Sequence, residues 1–289
     1  MTDILVIGRH GQLSNYFCAC TEQVVKIFSS KELDLRHTKD IKNILDPYRP
    51  KVIVNLSSYN DVEGAESSLD NSLINALALK ELSEFSKERS IPLIHISTDY
   101  VFNGSKGNYN EDDQTDPINS YGKAKLEGEN YVRNICNEYL IIRTSWLYSC
   151  LEGRNSFLNK AMEMYFSKRA KVSGSINSIG SPTSAYSLAL ALNRIIPIFL
   201  KDTHLTGTYH FSNKGRISRY EFFKKILFLL NNKFHSSSPV LKEVNNSSFN
   251  MKANRPEDTS LDCSKFYNTF PVEPLTWQVA LNQEINKIN

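Results

Sequence analysis

At 289 residues, 40% hydrophobic and 22% charged, the chain has the composition of a soluble globular protein with room for one large α/β domain or two modest ones. A net charge of +3, with no run of Lys and Arg longer than three residues, is too small to argue for a nucleic-acid-binding or membrane surface, and neither partner is expected. No apolar run approaches the ~18 residues of a membrane span, and Met1-Thr2-Asp3 leads straight into a short strand, so a cytoplasmic protein without membrane insertion is expected.

Ile4-Leu5-Val6-Ile7 is a continuous apolar run, as a parallel strand buried on both faces requires. Gly8-Arg9-His10-Gly11-Gln12-Leu13 follows and opens a helix reaching about Cys20. Val24–Phe28 is a second strand, and residues 38–46 read as a helix with Thr38 as N-cap, stopped by Pro47. Val52–Asn55 is a third strand, 67–89 a long helix, and Pro92–Ser97 a fourth strand. A helix over 119–134 and a fifth strand, Tyr139–Arg143, come next. This alternation predicts an α/β fold over residues 1–149: a doubly wound, Rossmann-like parallel sheet of order 3-2-1-4-5 or longer. After Trp146 the rhythm loosens into helices near 154–167, 184–196 and 218–231, one strand at Thr208–Phe211, and polar loops at 236–239 and 245–248. Residues 150–289 are expected to form mostly a smaller C-terminal substrate-binding domain, with segments free to return to the sheet.

Tyr121-Gly-Lys-Ala-Lys125 carries the strongest chemical signal. On a helix the i, i+4 spacing puts Tyr121 and Lys125 on one face. A phenol titrates near pH 10. An ammonium ~4 Å away, at an effective dielectric of ~20, favours the phenolate by roughly 4 kcal/mol, or about three pKa units. The pair is therefore expected to act as a proton shuttle, with Thr98 offering a second hydroxyl to a substrate carbonyl. With 14 tyrosines in the chain, a chance match of this spacing is expected, and Tyr220…Lys224 reads as that coincidence. Gly8-x-x-Gly11 is a short dinucleotide fingerprint whose competitor is a plain strand–helix turn, and Ser14 stands where a longer fingerprint has its third glycine. Strand two ends in Ser29, which cannot repel a ribose phosphate, so NADPH is accommodated and NADH is the alternative. The five scattered cysteines fit reduced thiols, no metal site is expected, and His95 reads as a packed strand residue.

Read in order, several blocks resemble the dTDP-4-dehydrorhamnose reductase family of extended short-chain dehydrogenase/reductases. They are Gly8-x-x-Gly11-Gln12-Leu13, Asn55–Glu63, Ser97-Thr98-Asp99-Tyr100-Val101-Phe102-Asn103-Gly104, Pro117–Glu129 and Arg143-Thr144-Ser145-Trp146. The likeness continues through Gly180–Thr183, Gly207–Phe211 and Arg255-Pro256. It implies NAD(P)H-dependent reduction of the C4 ketone of a nucleotide-linked 6-deoxy sugar, with dTDP-4-dehydro-L-rhamnose as the expected substrate and polysaccharide precursor synthesis as the context. Position by position, it implies Thr98, Tyr121 and Lys125 as the catalytic trio. Cofactor contacts implied are Gly8, His10, Gly11, Gln12 and Leu13, then Ser29, Asp34 and Leu35, then Ser57, Ser58 and Asn60, together with Tyr121 and Lys125. Substrate contacts implied are Thr98, Asp99, Tyr100, Tyr121 and Trp146; Arg255 pairs either with the substrate diphosphate or within the protein. Trp146 is either a sugar-facing indole or a core residue. No acid follows the Gly-rich loop, where Ser14-Asn15-Tyr16 stands, so a monomer or a homodimer without a bridging metal is expected. The alternatives are an epimerase or dehydratase on the same scaffold and a non-catalytic NADP-binding regulatory subunit. Tyr100 stands where dehydratases place an acid, which disfavours elimination.

Overall fold

The apolar runs become strands whose alternate side chains feed two separate cores. Ile4, Val6, Val52 and Val54 face one core; Leu5, Ile7 and Ile53 face the other. The computed structural model describes residues 3–151, 156–167, 171–236 and 238–288. Met1-Thr2 and the predicted helix start at 154–155 lie outside the described residues.

The order of elements is β1 (Ile4–Ile7), α1 (Gln12–Cys20), β2 (Val25–Phe28), α2 (Ile41–Leu45), β3 (Val52–Asn55), α3 (Leu69–Ser72), a π turn (Leu73–Leu77), α4 (Ala78–Arg89), β4 (Leu93–Thr98), α5 (Ser120–Ile135) and β5 (Tyr139–Thr144). Then follow β6 (Leu147–Tyr148), α6 (Phe157–Phe166), β7 (Lys171–Ser175), β8 (Ile179–Gly180), β9 (Thr183–Ser184), α7 (Ala185–Phe199), β10 (Gly207–His210), β11 (Ile217–Ser218), α8 (Arg219–Phe234), β12 (Val240–Val244), α9 (Ser264–Thr269) and α10 (Trp277–Asn286). Thr38 is not the N-cap predicted for it: it already lies inside a 3₁₀ turn with no side-chain cap, and α2 begins at Ile41.

The main sheet is parallel and doubly wound, in the order β2-β1-β3-β4-β5-β10. This corrects the predicted 3-2-1-4-5. β2 contains Lys26 and buries only Phe28 fully, so it suits an edge; β3, apolar up to Asn55 and buried at every residue, takes the place beside β1. The switch point of the sheet thus falls between β1 and β3, where Ile7 and Asn55 are in register at the carboxyl ends. From the second half, β10 completes the sheet, and α7 and α9 pack into the core around α1. A third core joins α6, α8 and α10 with Trp146 and Tyr148 at the mouth of the switch point. Among the described residues no helix is long and apolar enough to cross a membrane.

Candidate active site

α5 starts where it does because Asn119 caps it. Its Oδ1 accepts from the Gly122 N–H at 2.8 Å, while its Nδ2 donates to the Asn254 carbonyl at 2.9 Å. The helix can lie against the turn Asp99–Val101 only because residue 122 is glycine: a Cβ there would stand 2.2 Å from the Tyr100 carbonyl oxygen. That approach sets Tyr121 and Lys125, both buried and one turn apart, beside the carboxyl end of β4.

Lys125 is 1% exposed, donates from Nζ to the Ile96 carbonyl at 2.7 Å, and lies 3.1 Å from His95 Nε2. Burial draws its pKa down to about 7, with Glu129 pulling the other way. His95 is a fully buried strand residue, as expected, but it also belongs to the site. Asn55 Oδ1 accepts from the Ser57 N–H at 3.1 Å, which leaves the Asn55 amide facing His95 Nδ1 at 3.2 Å. Nδ1 therefore accepts, and the imidazole proton sits on Nε2 against Lys125. Burial keeps that imidazole neutral.

The expected depression of the Tyr121 pKa is not found. Burial raises it to about 12, with the Thr98 and Ser58 hydroxyls acting in the opposite sense. The reason is the direction of Lys125, whose ammonium donates to the Ile96 carbonyl. Tyr121 is thus a protonated phenol at neutral pH, with a proton to donate. Its ring meets that of Tyr100 edge-on, with centroids 6.0 Å apart.

Thr98 ends β4 and donates from Oγ1 to Asp99 Oδ1 at 3.1 Å. Asp99, a sugar contact by resemblance, is instead 3% exposed, and its carboxylate is taken up by hydroxyls of Thr98, Ser145 and Thr259. Burial raises its pKa against those donors. It fixes the Thr98 hydroxyl from beneath.

Around this centre lies a cavity of about 310 Å³ lined by Gly11, Gln12, Leu13, Ser57, Ser58, Asn60, Thr98, Asp99, Tyr100, Tyr121, Lys125, Trp146 and Arg255. A second cavity, about 380 Å³, shares Gly11, Ser57, Ser58 and Asn60 with it and continues past Gly8 and His10 to Asp34 and Leu35. Together they form a cleft over the switch point. Gly8, at φ +109, allows this: a Cβ would meet Ser57 N at 2.9 Å and push the β3 loop away. The N-terminus of α1 at Gly11 has no side-chain cap and opens into both cavities, and Gln12 Oε1 is buried without a partner among the described residues. An uncapped helix end beside an elongated cleft fits the pyrophosphate of a dinucleotide.

Ser29 lines neither cavity. Its N–H and Oγ both donate to Glu32 Oε2, at 2.9 and 2.8 Å, so a carboxylate does cap the end of β2, supplied three residues later than the sequence pattern suggests. Hydrogen bonds from Ser29 and Lys26 hold Glu32 at about 2. Asp34 is engaged by the Arg36 guanidinium at 2.6 Å and held at about 2 by it. Ser58 donates to Asn75 Oδ1 at 2.8 Å, and Asn75, in the π turn, also takes the Tyr59 N–H, so a buried amide shapes the loop that lines the cleft.

Trp146 sits at φ +46 with little exposure, and the Arg219 guanidinium covers its ring at 3.5 Å, so its face is not free for a sugar. Arg255 pairs with Glu63 at 2.6 Å and reaches the Tyr100 hydroxyl at 3.2 Å, which favours the internal ion pair. Glu63 also takes the N–H groups of Lys252 and Ala253, pinning the 251–255 loop over the cleft. Glu63, His95 and Arg219 were not singled out by sequence as site residues: each acts through a partner remote in sequence. Tyr220…Lys224 lies on α8 with Lys224 60% exposed, as a coincidental match should.

The sequence matches the family model described as RmlD substrate binding domain over residues 1–289. It is 29% identical over 290 residues to a dTDP-4-dehydrorhamnose reductase of Aggregatibacter actinomycetemcomitans, with 97% of each chain covered. It is 31% identical over 293 residues to the spore coat polysaccharide biosynthesis protein SpsK of Bacillus subtilis, covering 99% of this chain and 98% of that one. Among solved structures, it is similar to dTDP-4-dehydrorhamnose reductase from Bacillus anthracis in complex with NADP, with a TM-score of 0.88, 29% identity and all of each chain covered. With the family match running the length of the chain and the same fold in a structure of that name, the chain belongs to the dTDP-4-dehydrorhamnose reductase family.

Proposed function

We propose that this protein is an NADPH-dependent reductase of the C4 ketone of a nucleotide-linked 4-dehydro-6-deoxy sugar, with dTDP-4-dehydro-L-rhamnose as substrate, serving polysaccharide precursor synthesis. The observation that carries this is the convergence of a protonated Tyr121, a buried Lys125 and Thr98 in one cleft that runs on to the open end of α1. Gly11, Gln12 and Leu13 would hold the pyrophosphate, Asp34 and Leu35 would flank the adenosine, and Ser57, Ser58 and Asn60 would line the path between them. A reduced nicotinamide supplies the hydride when bound.

Negative charge gathers on the sugar O4 as C4 is reduced. Tyr121 gives its phenolic proton to that oxygen, which becomes the product hydroxyl. The Thr98 and Ser58 hydroxyls stabilise the phenolate left behind, and Lys125 orients the cofactor ribose. Thr98 turns to O4 only by releasing Asp99, so the carboxylate decides how readily that second hydroxyl is offered. The test is direct: the purified protein is mixed with NADPH and a panel of nucleotide 4-keto-6-deoxy sugars while nicotinamide absorbance is followed. Turnover with dTDP-4-dehydro-L-rhamnose is expected. Dinucleotide binding without turnover on any sugar would favour a regulatory subunit.

A further inference from the structure

A line of hydrogen-bonding groups runs from the wall of the cleft into the sheet and back to the reaction centre. The Ser57 N–H donates to Asn55 Oδ1 at 3.1 Å, Asn55 Nδ2 meets His95 Nδ1 at 3.2 Å, and His95 Nε2 meets Lys125 Nζ at 3.1 Å. Asn55 and His95 are wholly buried and Lys125 nearly so. Ser57 lines both cavities of the cleft, with its N–H beside Gly8.

Every link needs one donor and one acceptor, so the whole line shares one polarity. A backbone N–H only donates, which fixes the Asn55 amide. Nδ2 then donates to Nδ1, and the single proton of a neutral imidazole sits on Nε2. Only the lone pair of an amine can receive that proton. In the observed polarity Lys125 is therefore the neutral amine; in either form Nζ donates to the Ile96 carbonyl at 2.7 Å. An ammonium has three donors and no acceptor. It requires the ring proton on Nδ1, the Asn55 oxygen turned to Nδ1, and another acceptor for the Ser57 N–H. One proton enters from solution in this change. Nζ gains it, while the ring keeps its one proton, moved from Nε2 to Nδ1. The charged group acting on Nζ is Glu129, one turn on along α5 and itself held by Arg143 of β5. Tyr121 lies one turn back, and β3 and the π turn bring the neutral amides of Asn55 and Asn75.

We propose that Asn55 and His95 are positioning residues that couple the cleft to Lys125: a dinucleotide that takes the Ser57 N–H reverses the line and holds Lys125 as the ammonium. This rests on the reductase reading above and adds to it when the cation is made. The charge that orients the cofactor ribose forms as the cofactor arrives, and the free protein is spared the cost of burying it.

The experiment is nitrogen NMR of the full chain labelled in histidine, with the His95 ring assigned through the backbone of residues 94–96. At mildly alkaline pH the free protein should carry the ring proton on Nε2. Saturation with NADPH or NADH should move it to Nδ1, so that the two ring nitrogens exchange their shifts. Acidifying the free protein through about 7 should do the same. Calorimetry in buffers of different ionisation heat should find uptake of about one proton per dinucleotide bound, and affinity falling by up to about tenfold per pH unit above neutrality. NADH shows this without a 2′-phosphate to titrate. Asn55→Asp offers one oxygen to Ser57 and another to Nδ1, so its uptake should fall towards zero. If that variant does not fold, the wild-type nitrogen shifts decide alone. A proton still on Nε2 in the saturated complex, or already on Nδ1 in the free protein at that pH, would overturn the proposal. Exchange of the shifts on binding NADPH, in a protein inert on every keto sugar, would reject the reductase reading and leave the coupling standing.

Discussion

α5 carries two buried ionisable groups one turn apart, Lys125 and Glu129, and the fold treats them in opposite ways. Glu129 receives the Arg143 guanidinium through Nε at 3.0 Å and Nη2 at 2.8 Å, and Arg133 at 2.8 Å. Burial pushes its pKa up, the two arginines outweigh that, and it is held at about 2. Lys125 has no carboxylate at ion-pairing distance among the described residues, only a carbonyl and an imidazole. A buried charge that is fully answered ties β5 to α5. One left unanswered carries a cost to stability that the proposed reaction would explain.

The largest expected effect is on the reaction centre itself. Tyr121→Phe keeps the ring and deletes the proton, so kcat should fall by ~10²–10⁴ with NADPH affinity little changed. Steady-state kinetics beside a cofactor titration would check it, and normal turnover would remove Tyr121 as the acid.

Stability should separate the two charges next. Arg143→Met strands Glu129 with Arg133 alone and should cost about 3–5 kcal/mol in denaturant unfolding. Lys125→Met should impair both kcat and cofactor binding yet unfold no earlier than the wild type. The folded lysine titrates at about 7 against ~10.4 unfolded, so its penalty is complete below pH 7 and fades as pH rises toward 10. A large loss of stability in Lys125→Met at neutral pH would erase the contrast.

Both groups add stability as pH rises, but in separate windows. The depressed pKa of Glu129 contributes stability that is present above the ordinary carboxylate range, near pH 4.5, and lost as pH falls through about 2. Acid unfolding of Glu129→Gln should be flatter over that window. For Lys125 the ammonium is the useful form, so kcat/KM for the cofactor should decline as pH rises through about 7. His95→Asn should move that limb, since the proton on Nε2 disfavours the ammonium.

The smallest effect concerns the cofactor phosphate. NADPH should be used at least as well as NADH, and Glu32→Gln should shift the ratio further toward NADPH by removing the carboxylate at the end of β2. A strong preference for NADH in the wild type would show that a carboxylate, Asp34 or Glu32, blocks the phosphate.

The contrast also explains what the sequence could show. Alternating strands and helices, the Gly8-x-x-Gly11 turn and the Tyr121/Lys125 spacing are local patterns, and from them came the fold class and residues that line the candidate site. The sheet order failed because the strand order depends on which strand tolerates an edge, and Lys26 in β2 was the overlooked signal. The coupling of Tyr121 to Lys125 failed because i, i+4 spacing fixes a face but not where an ammonium points. Asn75, His95 and Arg219 act through partners that only the folded chain brings near. For His95 one signal was present: a polar residue in an otherwise apolar buried strand needs a partner.

The most direct test of the account is hydride delivery by the wild-type protein to dTDP-4-dehydro-L-rhamnose, using NADPH deuterated at the transferring position. The account predicts equimolar loss of NADPH and a product carrying deuterium at C4 beside a new hydroxyl. Tight NADPH binding with no deuterium transferred to this or any related keto sugar would contradict it.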